Sequence, residues 1–181
     1  AVPIFNNLLN ELTSYGLEDP FPLDTDCVDF RGIALNDARF YGANLTSAHF
    51  EGAYLVKCLF NAAICENIYL EDSVLEQTLF LGAHMNNSYL SRSDGKNCSF
   101  KNAEITHSFF DDAICYEYDF TDANLSNSSF NRTVLESSNF RNALCYGCSF
   151  VEAFGRCTNL TSMKVDRNTK FGRKPGEQLL A

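Results

Sequence analysis

The residues of this chain best suited to chemistry are its cysteines and histidines. Cys145 and Cys148 form a Cys-x-x-Cys pair, the spacing of many redox and zinc sites. The histidines His49, His84 and His107 are far apart in the sequence. A metal site, or a base beside a nucleophile, needs such side chains to converge in a cleft. The elements that carry these residues therefore decide what they can do.

A five-residue repeat governs most of the chain. Every residue whose number is a multiple of five, from Phe30 to Val165, is apolar or Cys except Gly95 and Gly155. The residue two positions earlier is small and mostly uncharged, while the other three positions carry polar and charged residues freely. This period fits neither the 3.6 residues of a helix nor the two of a strand. It predicts a chain that points two residues inward and then turns a corner, again and again.

A longer period of twenty residues is superimposed on the period of five. Multiples of ten are Phe in 11 of 14 cases. Alanine forms an unbroken column at steps of twenty: Ala43, Ala63, Ala83, Ala103, Ala123 and Ala143. Four five-residue sides are therefore predicted to form one coil, so that residues twenty apart stack. Phe then lines two opposite walls and smaller apolar residues line the other two, which fills a narrow core.

Two segments, GANLTSAHFEGAYLV (42–56) and TDANLSNSSF (121–130), closely resemble the A(D/N)LXX motif of the pentapeptide-repeat family. The resemblance covers about 140 of the 181 residues. It implies the fold of that family, an all-β, right-handed quadrilateral β-helix. At twenty residues to a coil, the chain holds about seven coils.

The ends of such a column need covers, because they expose backbone and core. Residues 3–16 predict an N-terminal α-helical cap with one apolar face, formed by Phe5, Leu8, Leu9, Leu12 and Tyr15. We therefore expect three parts: a helical cap and link over 1–26, the β-helix over 27–165, and a basic tail over 166–181.

The repeat argues against redox, metal or catalytic chemistry at these cysteines and histidines. Cys145 and Cys148 both fall on inward positions, where Cys acts as a small apolar residue. The three histidines fall on outward positions with no shared column, and a convex rod offers no cleft. We predict no catalytic, cofactor-binding or metal-binding residue, no cofactor, and a chain that is not an enzyme.

The outward position before each central residue is large and apolar or aromatic in 12 of 28 cases. Sorted by twenties, these residues and their neighbours form stripes, and contiguous apolar stripes mark contact surfaces. The predicted partner-binding residues of one wall are Tyr54, Val56, Val74, Ile114, Tyr116, Val134 and Phe154. A second wall carries Tyr69, Tyr89 and Phe109 in one column with His49, and a third carries Leu59 and Leu79.

Charge and hydropathy limit the partners. With 23 acidic and 14 basic residues the net charge is −9, and the cations are too few and scattered for direct nucleic-acid binding. No apolar run reaches the roughly 18–20 residues of a membrane span, although contact with a membrane complex stays open. The leading interpretation is a non-catalytic scaffold or accessory subunit that binds other proteins in a multi-subunit assembly.

The family resemblance adds an alternative function and a location. Quinolone-resistance members of the family are acidic DNA mimics, so the alternative is a mimic that binds DNA gyrase or a related topoisomerase. Five acidic residues of this chain gather along one corner, but Arg31, Arg92 and Arg132 share it. Other members occur in the thylakoid lumen. A chain beginning at Ala1 suits a processed organellar protein of the chloroplast lumen, and a bacterial cytoplasmic protein is the other expectation.

Overall fold

The computed structural model describes residues 27–172, so the predicted helical cap and link (1–26) and the end of the tail (173–181) lie outside the described residues. The described part contains strands and no helix. Its six strands each have three residues: β1 Ala34–Asn36, β2 Tyr54–Val56, β3 Asp94–Lys96, β4 Ile114–Tyr116, β5 Ser149–Val151 and β6 Lys170–Gly172. No helix of the described residues has the length and apolar character of a membrane span.

The strands pair in parallel, β1 with β2, β3 with β4, and β5 with β6. Single parallel bridges continue the pairing at steps of twenty residues, from Tyr54 to Val74 and from Val74 to Asp94, for example. The backbone N–H of Leu55 donates to the carbonyl of Val74 at 2.7 Å, and this bond type recurs from coil to coil. The predicted coil of twenty residues is confirmed, and the chain is a β-helix solenoid of short parallel strands.

Each coil has four sides, and we name the four walls by their outward positions, which recur every twenty residues. Wall 1 holds positions 49 and 51, wall 2 holds 54 and 56, wall 3 holds 59 and 61, and wall 4 holds 64 and 66. Between them lie the inward residues, which are buried from position 30 to position 158. The predicted alanine column, Ala43 to Ala143, is buried throughout.

Two columns of Phe fill the core from opposite walls. On one side Phe40 stacks on Phe60 with ring centroids 4.7 Å apart, and on the other Phe30 stacks on Phe50 at the same distance. Across the core the columns meet edge to face, as between Phe40 and Phe50 at 5.9 Å and 83°. Stacked and edge-to-face pairs are the favoured arrangements of aromatic rings. The predicted Phe-lined walls are confirmed.

The small polar residues of the core pair with backbone of the coil below. Ser88 Oγ donates to the carbonyl of Cys65 at 3.1 Å, and Ser128 Oγ donates to that of Ile105 at 2.6 Å. The Cys148 thiol reaches the carbonyl of Leu125 in the same way, at 2.9 Å. Such small polar residues are therefore tolerated inside because most of them satisfy their donor locally, Ser93 Oγ being an exception.

The corners require an unusual backbone. Every fifth residue from 27 to 162, two positions after each central residue, has a positive φ, and most of these residues are not Gly. At one such corner the N–H of Ala63 donates to the carbonyl of Phe60 at 3.1 Å, and Ala62 has a φ of 54°. At others the N–H donates to a serine hydroxyl one coil above, as from Ser88 to Ser108 at 2.9 Å. The left-handed conformation costs an L-residue about 1–2 kcal/mol, which the coil-to-coil bonds must offset.

The predicted burial fails at the C-terminal end. Val165 is 45% exposed, while Leu160 and Met163 are only partly buried, because no described coil stacks over them. The chain then steps by 21 residues instead of 20, since Phe171 pairs with Phe150 and stacks on its ring at 5.4 Å. A turn at Asp166, whose carboxylate accepts the N–H of Gly147 at 2.9 Å, absorbs the extra residue.

The structure confirms that the ring of Tyr118 turns inward toward Gly95. Tyr118 is 1% exposed, and a β-carbon added to Gly95 would collide with its hydroxyl. Asp94–Lys96 is the regular strand β3 and not a loosened loop. The expectation that the hydroxyl reaches backbone or solvent is wrong: Tyr118 Oη is buried without a hydrogen-bond acceptor, near the thiol of Cys98. Burial raises its pKa well above the ordinary value.

The corner conformation predicts opposite effects of glycine at two neighbouring alanines. Ala62→Gly removes the left-handed strain, so the free energy of unfolding should stay unchanged or rise by up to about 1 kcal/mol. Ala63→Gly, at a buried position with ordinary backbone, should lower it by about 1–2 kcal/mol. Urea unfolding of both variants measures the difference. Equal losses at the two positions would contradict the assigned corner.

Tyr118 provides a second stability prediction. Tyr118→Ala leaves a cavity over Gly95 and should lower the free energy of unfolding by more than about 2 kcal/mol. Tyr118→Phe is the matched control: it keeps the ring and removes an unpaired buried hydroxyl, so stability should be retained or increased. Denaturant unfolding followed by circular dichroism measures both. A neutral Tyr118→Ala variant would show that the ring does not fill the core.

Candidate functional site

Wall 2 brings together the longest predicted stripe. Tyr54 is bridged to Val74, and Ile114 is bridged to Val134, which is bridged in turn to Phe154. Tyr54 is 56% exposed and Phe154 is 42% exposed, whereas the three aliphatic residues are half-buried. Asp94 interrupts the column, as the sequence predicts. The apolar surface is therefore continuous over two coils on one side of this carboxylate and over three coils on the other.

A second column on wall 2 widens this stripe. Val56 and Tyr116 lie two residues beyond Tyr54 and Ile114, on the same strands β2 and β4. Tyr116 is 43% exposed. Each strand thus presents two outward apolar side chains on either side of one buried residue, as a flat parallel strand does. The predicted residues of this wall thus form two groups, one around Tyr54 and one around Ile114, with Asp94 and Lys96 between them.

Wall 1 carries an aromatic ladder, His49, Tyr69, Tyr89 and Phe109. The ring centroids are 4.5, 4.9 and 5.4 Å apart, and successive ring planes differ by 3°, 2° and 15°. Parallel bridges hold the four residues directly above one another. The repeat predicts the column, and the structure adds the stacking.

Two glutamates lie beside the ladder on the same wall. Glu51 accepts a hydrogen bond from or donates one to His49 Nδ1 at 2.9 Å, according to the protonation of that pair. Glu71, one coil above, has no ion pair with Lys or Arg among the described residues. The second oxygen of each carboxylate is buried without a hydrogen-bond donor. Burial, and then the charge of Glu51, raise the pKa of Glu71.

The corner between walls 1 and 2 holds paired charges. Arg92 binds Asp72 at 2.7 Å and Arg132 binds Asp112 at 2.6 Å, in both cases across one step of twenty residues. These arginines lower the pKa of their aspartates, chiefly through the hydrogen bonds they donate. The predicted mixture of acidic residues and arginines along this corner therefore consists of specific pairs, which neutralise much of its charge.

Wall 3 holds the smallest stripe. Leu59 and Leu79 are bridged neighbours and both are half-buried, with Leu81 on the same wall. Tyr41 on wall 3 and Tyr146 on wall 4 are 59% and 42% exposed and were not predicted as site residues. Both follow a central residue, whereas the stripes are predicted mainly from the position before it.

The cysteines and histidines do not converge. Cys145 and Cys148 are buried, as are Cys58, Cys65, Cys98 and Cys115, and only Cys27 and Cys157 are exposed. Burial raises the pKa of the Cys58 and Cys98 thiols to about 12. Contact with Cys148 and burial raise that of Cys145, the opposite of what a reactive thiol needs. Within residues 27–172 no cluster of His, Cys, Asp and Glu could hold a metal ion.

Comparison with known proteins identifies the repeat. The family model of the pentapeptide repeats matches residues 26–61 and 119–154, with eight copies. A search of curated protein sequences finds no significant match.

Among solved structures, QnrB1, a plasmid-mediated fluoroquinolone resistance protein, is 16% identical over 85% of this chain and 88% of its own, with a TM-score of 0.44. HetL of the cyanobacterium Nostoc, involved in heterocyst differentiation regulation, is 18% identical over 75% of this chain and 73% of its own, with a TM-score of 0.34. A pentapeptide repeat protein of the Arabidopsis thaliana thylakoid lumen is 20% identical over 60% of this chain and 65% of its own, with a TM-score of 0.30.

The raised pKa of Glu71 predicts how its replacement changes stability with pH. Folding favours the protonated carboxyl, so its contribution is present below the unfolded-state pKa and lost as pH rises through the folded-state pKa. Glu71→Gln, which is neutral, should therefore be more stable than the parent at pH 7, and the gain should vanish near pH 3.

The matched control is the adjacent Asp72→Asn. The pKa of Asp72 is lowered by Arg92, so the stabilisation is present at neutral pH and lost as pH falls through the folded-state pKa. This variant should be less stable than the parent at pH 7 and equal to it in strong acid. Urea unfolding of the parent and each variant, at pH 7 and in acid, measures the two differences in the free energy of unfolding. The same sign for both variants would contradict the assigned environments.

Proposed function

Because the chain is a pentapeptide-repeat protein, we propose that it is a non-catalytic scaffold or accessory subunit that binds partner proteins through the apolar stripes on its walls. The observation that carries this proposal is the column of wall 2, where large apolar residues stay outward over successive coils. Outward residues contribute nothing to the core, so the fold alone does not require them to be apolar.

The regular stacking of the coils also suits a scaffold. Six of the chain's eight cysteines are buried, and its histidines occupy different columns, which supports a role without catalysis. We propose that the solenoid is right-handed with about seven coils, as the family resemblance implies. Assembly with several subunits, contact with a membrane complex and a place in the thylakoid lumen or the bacterial cytoplasm belong to the same proposal.

The alternative, an acidic DNA mimic that binds gyrase, has one supporting observation, the net charge of −9. Against it, Arg31, Arg92 and Arg132 pair with aspartates along the corner where acidic residues gather, so no wall presents a uniform row of negative charge there. A gyrase supercoiling assay with the purified chain discriminates the two functions.

Charge placed in the wall 2 stripe should abolish association without unfolding the chain. Val74→Asp with Val134→Asp puts two carboxylates on half-buried outward positions, where partner contact would desolvate them. We expect at least a tenfold loss of partner recovered with the tagged chain from its native source, with an unchanged circular dichroism spectrum.

The matched control adds the same charge to wall 4, as His84→Asp with Thr106→Asp, and should retain the partner. Equal losses for both pairs would mean that charge, and not the stripe, governs association. A parent chain that is strictly monomeric and unaccompanied in native preparations would contradict the scaffold proposal itself.

A further inference from the structure

The aromatic ladder of wall 1 ends in two ring faces that no other ring of the described residues covers, that of His49 toward Asp29 and that of Phe109 toward Ser129. Within the ladder each ring stacks on the next, so Tyr69 and Tyr89 present only their edges. The column continues above Phe109 with Ser129, its bridged neighbour, whose side chain is too short to cover an aromatic ring. Phe109 is accordingly 41% exposed. A planar group from outside can stack there as the next rung.

Carboxylates accompany the ladder at both ends. Glu51 and Glu71 lie two residues beyond His49 and Tyr69, and Asp111 lies two residues beyond Phe109, all on wall 1. The Glu51 and Glu71 carboxylates are successive in one column, and each has an oxygen without a hydrogen-bond donor. Rotation about the last side-chain bond, which is soft, can turn either oxygen outward.

No Lys or Arg of the described residues forms an ion pair with Glu51 or Glu71, although Arg92 acts on Glu71 through its charge. Arg31, one coil below Glu51 on wall 1, binds Asp29 at 2.6 Å. Arg92 and Arg132, at the neighbouring corner, bind Asp72 and Asp112 at 2.7 and 2.6 Å. Wall 1 therefore offers aromatic rings with negative charge beside them, and the complementary group is a cation that can also stack. Arginine is such a group: its guanidinium is planar, stacks on rings and binds carboxylates with two parallel hydrogen bonds.

We propose that wall 1 docks an extended, arginine-bearing segment of a partner protein. One guanidinium bridges Glu51 and Glu71, and a second lies on the open face of Phe109 beside Asp111. The inference rests on the proposed function, of which it specifies the chemistry of one partner surface.

The spacing of the two subsites sets the spacing of the arginines. One subsite lies between Glu51 and Glu71, and the other lies above Phe109. They are about three coils apart, which is roughly 14 Å at the spacing of parallel strands. An extended chain covers that distance in about four residues. The two arginines should therefore be separated by three other residues.

The test is a fluorescence anisotropy titration with a labelled, capped peptide of sequence Arg-Gly-Ser-Gly-Arg, at low ionic strength. We expect saturable binding by the parent chain that weakens with salt. Glu51→Gln with Glu71→Gln should weaken it at least tenfold. The control Glu66→Gln with Glu104→Gln, an equal charge change on wall 4, should weaken it less than twofold.

Phe109→Ser tests the stacking subsite separately. It should weaken binding of the arginine peptide at least threefold and abolish its preference over the matched lysine peptide, because an ammonium group does not stack as a planar rung. Unfolding curves of all variants confirm that the chain is intact.

Three results would overturn the inference: no saturable binding by the parent, equal weakening by the two glutamate pairs, or equal affinity for the lysine peptide. The titration needs no native partner, so its failure is distinguishable from failure of the proposed function. If the native partner is recovered through wall 2 but the peptide does not bind wall 1, this inference is wrong and the scaffold proposal stands. If the chain binds the peptide but recovers no native partner, the scaffold proposal is wrong and the peptide-binding surface stands.

Discussion

The hydrogen bond between backbone groups on successive coils is the constraint on which the rest of the structure depends. The N–H of each central residue donates to a carbonyl nineteen residues later, as from Leu55 to Val74 at 2.7 Å, and this repeats along the described chain. Up to Lys164 the bond holds each residue above the one twenty positions before it. Core rings therefore stack in columns, small residues stack in columns, and the corners keep a left-handed backbone that isolated residues would avoid. The outward side chains inherit the same spacing, which is why the rings of wall 1 stack although they lie outside the core.

Where the period persists, the sequence predicts the fold well. The inward position of Phe60 and the buried alanine column follow from spacing alone, because an inward residue is restricted in size and polarity. The corner conformation could not be predicted in this way: Arg, Asp, Ala and Gly all occupy corners, so composition hides the shared positive φ. Val165 was wrongly predicted as buried. Its burial requires a further coil above it, and the five-residue period at Val165 does not show whether such a coil follows. The missing acceptor of Tyr118 Oη depends on the exact tilt of one ring.

The candidate surfaces were predictable in position and not in detail. Steps of twenty residues were enough to place Tyr54 with Val74, and Tyr69 with Tyr89, on common walls. Stacking angles, the donor-free oxygens of Glu51 and Glu71, and the pairing of Arg92 with Asp72 depend on side-chain rotamers, for which the repeat contains no information. The fold leaves the outward positions chemically free, so their function must be inferred from what accumulates there: apolar area on wall 2, and rings with carboxylates on wall 1.

The four-sided coil has a consequence for insertions and deletions in the gene. Removing five codons would leave an inward residue at every inward position. It would, however, move every later outward column to the neighbouring wall, so that a binding surface would be split between two walls. Removing ten would also preserve the alternation of Phe with smaller central residues, yet move each later column to the opposite wall. Only the loss or gain of twenty codons keeps both the interior and the surface in register. Length variation in such a chain should therefore proceed in whole coils wherever a surface extends along it, and in shorter steps only near an end, as the single additional residue before Phe171 illustrates.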